Sequence, residues 1–293
     1  MTMRYRPFGN SGTAVSVISM LLQDNPRLKA NDWRTLLFCA LEHGINCFEI
    51  AGDSPHLLDG VGEALGAVER HLIFVSWRAV SGQSTGSMYD QVEAILTRTG
   101  LRHLNLLVIP DPAANLPADG MEQLYALKQG RLTRMLGVSS DDDSVDPFIS
   151  SGAFDALCTG YNLASGWKER NRLKLASAHD LAVIGHDAYP QALRQPEGLL
   201  AKVGLFGGKK KAADKIGNGY RFLDETPTWT AEEICIAYAL TEPALSTVQV
   251  CVERADELDR LAELPERDLP TAVAAQIEMA RFASVRPPEA RRA

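Results

Sequence analysis

Eight short apolar runs, most followed by a stretch with apolar residues at helical spacing, constrain this chain more than any other feature of its sequence. The runs lie at 14–22, 47–50, 72–76, 104–109, 134–138, 156–161, 181–186 and 247–250. They recur at intervals of roughly 20–35 residues, the period of a β/α unit, except where a long polar, glycine-rich segment at 191–228 interrupts them. The run LNLLVI at 104–109 has the continuous apolar character of a strand buried on both faces. Strands alternating with helices are forced to be parallel, with right-handed crossovers. Eight such units fit a closed (β/α)8 TIM barrel, and an open doubly wound sheet is the alternative.

Local signals place the boundaries. RYRPFG, the turn Asn10-Ser11-Gly12 and the following AVSVISMLL predict a hairpin-like opening that leads into the first barrel strand. Asn31-Asp32 is the expected cap of a helix with Trp33, Leu36, Leu37, Ala40 and Leu41 on one face and Gly44 as its stop. Further helices are expected over 87–99, 121–128, 231–240 and 255–264, and Asp141-Asp142-Asp143 is the expected cap of a short one. Residues 1–283 are read as a single barrel domain. The segment 284–293, SVRPPEARRA, has no apolar face to bury and is expected to be a disordered tail.

Composition narrows the partners. A net charge of −7 and a pI near 5.4 argue against nucleic acid or an anionic membrane surface. Apolar runs fall short of the ~18 residues that span a bilayer. Cys39, Cys47, Cys158, Cys235 and Cys251 are scattered without a CxxC or a recognised Cys/His pairing. The expectation is a reduced, cytoplasmic protein with no metal site.

Chemistry concentrates in GINCFEIAGDSPHLLDGVGEAL, residues 44–65. Its short strand ends in Glu49, Asp53, Ser54 and His56, and the carboxyl ends of barrel strands are where active sites are built. This stretch also carries a resemblance. In order along the chain, YRPFGNSGTAVS, ALEHGINCFEIA, GVGEAL, GRLTRMLGVSS, GYNL and AEEICIAYAL are similar to segments of the aldo/keto reductase family. The resemblance implies a barrel of the aldo/keto reductase type that binds NADPH without a Rossmann motif. It also implies reduction of a carbonyl, with a tyrosine as the acid, an aspartate and a lysine tuning it, and a histidine orienting the substrate.

This sequence departs from that pattern at all four positions. The aspartate is Glu49, the tyrosine Ser54, the lysine Arg78 and the histidine Pro110. Serine is a far weaker acid than a phenol, arginine does not relay protons, and proline offers no donor. Losing a positioned acid costs about 10²–10⁴ in rate, so ordinary carbonyl reduction is not expected. Glu49 and Arg78 keep opposite signs and are expected to pair in the barrel mouth; a proton-transfer role for Glu49 in altered chemistry is the other reading.

Cofactor positions implied by the resemblance are also eroded. They fall on Met20–Leu22, Ser139, Ser140, Cys158, His186 and the Cys251-Val252-Glu253 run, with Arg254 the phosphate ligand if the register slips by one. Lys209, Lys210 and Lys211 after Gly207-Gly208 are the remaining argument for a phosphate-bearing ligand. Two functions stand open. One is a family-like barrel without reductase chemistry, holding a small molecule. The other is an active enzyme with altered chemistry, an atypical NAD(P)H oxidoreductase or a lyase or isomerase, using Glu49, His56 or His186. A homo-oligomer accords with the family's habits, and nothing in the sequence decides it.

Overall fold

The structure is a computed structural model that describes residues 3–79, 87–193, 220 and 222–285. Two short antiparallel strands, β1 (Tyr5–Pro7) and β2 (Ala14–Ser16), open the chain as the expected hairpin. Eight parallel strands then close into a barrel. They are β3 (Ile18–Gln23), β4 (Cys47–Ala51), β5 (Phe74–Arg78), β6 (Leu104–Pro110), β7 (Thr133–Ser139), β8 (Ala156–Gly160), β9 (Ala182–His186) and β10 (Thr247–Val250), with β10 pairing β3. The fold is the (β/α)8 barrel that the alternation implies.

The run 14–22 proves to be two strands. Val17 turns the chain from hairpin to barrel: its N–H donates to the Arg4 carbonyl in the hairpin, and its own carbonyl accepts from Val248 N–H in β10. β5 also begins two residues later than the apolar run. Arg70–Leu72 form a single 3₁₀ turn, and Leu72 is 55% exposed, an apolar residue outside the barrel.

Helices flank the barrel. The first three are α1 (Ala30–Glu42), α2 (Pro55–Leu65) and α3 (Met88–Thr99). The cap of α1 is Lys29 rather than Asn31-Asp32; Asp32 supplies the returning carboxylate, its Oδ2 accepting from Lys29 N–H at 2.8 Å. α1 and α2 pack so closely that a Cβ on Gly60 would lie 2.5 Å from Trp33 Cβ. Helices at 231–240 and 255–262 match the expected positions, and Thr271–Val285 forms a further helix that the sequence reading lacked. It extends two residues into the expected tail; 286–293 lie outside the described residues. Among the described residues no helix is long and apolar enough to cross a membrane.

Two cores result from strand alternation, since successive side chains point to opposite faces. The larger lies between strands and helices and includes Met20, Leu22, Phe48, Ile50 and Trp77. The smaller fills the inside of the barrel with Cys47, Phe74, Leu106, Val108, Met135, Cys158 and Ile184, and the hairpin closes it with Phe8 and Val15. The Phe8 and Phe74 rings lie 4.4 Å apart. Arg6 anchors this plug, its guanidinium donating to the carbonyls of Leu240, Glu242 and Leu245 at the end of the helix Ala231–Leu240. Carbonyls left open at a helix C-terminus favour such a cation. With one end plugged, the strands' carboxyl ends form the open mouth.

Candidate functional site

Glu49 in β4 is 1% exposed. Its Oε1 accepts from Arg78 Nε at 2.6 Å and lies 2.5 Å from Arg78 Nη2. Parallel pairing of β4 with β5 sets Glu49 beside Ser76, one inward position below Arg78, so the long arginine side chain reaches back to the carboxylate. The expected ion pair is present. Burial works against the Arg78 cation, but Glu49 outweighs it and holds the guanidinium above its ordinary range. Cys158 in β8 approaches the other oxygen of Glu49 at 3.9 Å. Burial first, then the Glu49 carboxylate, push its thiol well above the usual range, so it stays protonated and inert.

Ser54 has a local task. Its Oγ accepts from Leu57 N–H at 3.4 Å as the N-cap of α2. Its backbone N–H donates to Asp24 Oδ1 at 3.0 Å, and that carboxylate's Oδ2 also accepts from Asp53 N–H at 3.2 Å. Asp24, just past β3, thus holds the loop after β4 and was not singled out from the sequence. Gly52 permits it: a Cβ there would stand 2.5 Å from Asp24 Oδ1. Pro110 ends β6 and brings no donor. His56 is exposed in the first turn of α2 and does not line the mouth cavity, contrary to the expectation that it faces inward. Helix geometry turns it outward, because the apolar face of α2 (Leu57, Leu58, Val61) takes the inner side.

His186, at the end of β9, does face the mouth. Its Nε2 lies 3.5 Å from Asp141 Oδ1. Asp141 also accepts from Gly160 N–H at 2.5 Å and Thr159 Oγ1 at 3.2 Å, so it ties β7 to β8. Of the acidic triplet only Asp142 caps, accepting from Ser144 N–H; Asp143 pairs with Lys168 and Arg172. Ser139 and Ser140 are buried at the end of β7, and Ser140 Oγ accepts from Asp142 N–H at 3.2 Å.

A cavity of about 660 Å³ occupies the mouth, lined by Arg78, His186, Tyr189, Gln249 and Arg254 together with Asp187, Glu232, Glu253 and Glu257. Arg254 is engaged by its neighbour Asp256 in a forked pair at 2.8 and 2.6 Å. Gln249 in β10 is 6% exposed, and among the described residues neither its Nε2 nor its Oε1 has a hydrogen-bond partner. Tyr189 is a phenol in the cavity wall that the sequence reading passed over; among the described lining residues there is no lysine beside it. Tyr89 stands 48% exposed on α3. Lys209, Lys210 and Lys211 lie outside the described residues.

Burial depresses His186 below the ordinary histidine range, with Arg78 acting the same way and Asp141 opposing. His103, half-buried, is lowered to about 4 by desolvation first and then by Arg70 and Arg134. Both are therefore more easily protonated unfolded than folded. Their contribution is complete above the unfolded value of about 6.5 and is lost as pH falls from there through the folded values. Unfolding midpoints should drop between about pH 6.5 and 4, and His103→Gln should flatten that slope; an unchanged slope would contradict the assignment.

The aldo/keto reductase family model matches residues 20–281. No curated protein matches the chain in sequence. In structure, the chain is similar to the aldo-keto reductase AKR11C1 from Bacillus halodurans. The holo form superposes with a TM-score of 0.75 at 17% identity, covering 98% of this chain and 99% of that one. The apo form gives 0.74 at 18% identity over the same shares.

Proposed function

This chain belongs to the aldo/keto reductase family, and we propose that its barrel mouth binds a small, hydrogen-bonding molecule without performing the family's carbonyl reduction. Gln249 carries the first half of the proposal. A buried amide without a partner costs about 1–3 kcal/mol for each unmet group, and this one borders the mouth cavity. A ligand with both a donor and an acceptor would satisfy it.

The second half rests on the four replaced positions. Where the resemblance implies a phenol, Ser54 caps a helix. The lysine's replacement, Arg78, is locked to Glu49, and Pro110 offers nothing to a carbonyl oxygen. NADP(H), which family membership implies, does not fit the described residues. Among the described residues the lining offers two guanidiniums, Arg78 and Arg254, and no lysine. One guanidinium is held by Glu49 and the other by Asp256. Neither is free to pair with the 2′-phosphate or the pyrophosphate.

Fluorescence titration with NADPH should show no saturation below about 1 mM, the upper end of ordinary KM values. A panel of aldehydes should be reduced no faster than in buffer, and Ser54→Ala should leave that rate unchanged. Saturable NADPH binding with aldehyde turnover that Ser54→Ala slows would end this proposal. One observation favours a second reading, proton transfer within the bound ligand. His186 is kept neutral by burial and borders the cavity 3.5 Å from Asp141, a suitable base.

A further inference from the structure

On the outer flank of the barrel, away from the mouth, α1 packs against the helix Ala255–Ala262. Cys39 and His43 stand one turn apart on α1 and its C-cap, so their side chains share a face. Asp259 meets them from the facing helix. His43 Nε2 lies 2.7 Å from Asp259 Oδ1, and Cys39 Sγ lies 3.4 Å from the same oxygen. The three potential ligand atoms all fall within 4.8 Å of one another. From these positions we propose that Cys39, His43 and Asp259 form a binding site for zinc or a zinc-like divalent transition metal, bridging the two helices, with a fourth coordination position open to water.

Geometry and chemistry both suit that class of ion. Tetrahedral zinc holds sulfur at about 2.3 Å and nitrogen or oxygen at about 2.0–2.2 Å, which sets ligand atoms roughly 3.3–3.6 Å apart. The Cys39–Asp259 separation already has this value, and the His43–Asp259 contact must open by roughly half an ångström to reach it. Asp259 can supply that movement because its side chain is 54% exposed. A thiolate–imidazole–carboxylate set selects zinc and its neighbours over calcium or magnesium, which take oxygen ligands. Asp256 and Glu42 add negative charge close by. The Cys39 thiol is pushed up to about 11, by burial first and then by Asp259. Metal binding therefore releases the thiol proton to solvent and tightens as pH rises. The Cys-x₃-His spacing at 39–43 is half of this signal, and the sequence reading, which expected no metal site, passed over it. Asp259, 216 residues beyond His43, comes only with the packed helices.

The test uses the full-length chain, free of any histidine tag, titrated with Co²⁺ and followed by the sulfur-to-cobalt charge-transfer absorption in the near ultraviolet. The expected result is a saturable band at one equivalent, displaced by Zn²⁺. Cys39→Ala should abolish it. His43→Ala and Asp259→Asn should weaken binding at least as much as losing an outer-shell partner does, roughly 10–100-fold. Cys251→Ser, which alters another accessible thiol, should leave it intact. Circular dichroism of each variant separates loss of ligand from loss of fold. Zn²⁺ should also raise the melting temperature of the parent protein and not that of Cys39→Ala. Absence of a thiolate band, or a band that survives Cys39→Ala or is unchanged by both His43→Ala and Asp259→Asn, would overturn the proposal.

Discussion

Arg78→Ala should lower the free energy of unfolding by about 3–5 kcal/mol, the range for removing one member of a buried ion pair. The reason is asymmetry. Glu49 is 1% exposed and cannot rehydrate, whereas the Arg78 side chain is 22% exposed at the cavity edge. Removing the arginine strands a carboxylate inside the barrel; removing the carboxylate leaves a cation that the open mouth can hydrate. Glu49→Gln should accordingly cost less than Arg78→Ala. The combined variant Glu49→Gln/Arg78→Met should recover much of the loss, since a buried pair replaced as a unit is often close to neutral. Urea unfolding of these proteins, with Arg78→Met added as the second single variant, completes the cycle. A loss below about 1 kcal/mol for Arg78→Ala, the scale of surface pairs, would mean that the contact contributes little and the mouth is wetter than its geometry suggests.

Phe74→Ala should cost a similar amount at the other end of the barrel. Phe74 is fully buried, packs against the tilted ring of Phe8 and belongs to the small inner core that the hairpin closes. Truncating a buried phenylalanine costs about 3–5 kcal/mol through lost transfer energy and the remaining cavity. Because Phe8 sits on the hairpin, the inner core can collapse only if the hairpin moves, and Arg6 pins it to three carbonyls. That anchoring argues for the upper part of the range. The measurement is again the unfolding free energy. Phe8→Ala should be non-additive with Phe74→Ala, because the two rings share one contact. Full additivity would show that the plug and the barrel floor are energetically separate.

How far the sequence could be followed depends on how far apart the interacting residues are. The helix Ala231–Leu240 and strand Thr247–Val250 were legible to the residue. Their signals are local: Thr230 accepts from Glu233 N–H, Glu233 returns a bond to Thr230 N–H, and the apolar run stops at Thr241. The Glu49–Arg78 pair was legible through the family resemblance, which implies opposite charges at these two positions; the parallel pairing of β4 with β5 is what brings them into contact. β5 was shifted because composition cannot separate Leu72, apolar but exposed, from residues that pair; Phe74 N–H bonding to Asn46 C=O sets the start. His56 was misplaced for a similar reason, since the strand exit was clear and the rotation of α2 was not.

Alternating runs, the order of family-like segments and the four replaced residues are properties of the chain alone. They sufficed for the barrel and the family, because periodicity and residue type are decided within a few neighbours. Tertiary structure decided which distant groups meet. It set Asp24 under the loop that carries Ser54, left the buried Gln249 amide without a partner among the described residues, and brought Asp259 to Cys39 and His43. These contacts join residues tens to hundreds of positions apart, and only the closing of the barrel and the packing of its helices bring such residues within hydrogen-bond distance.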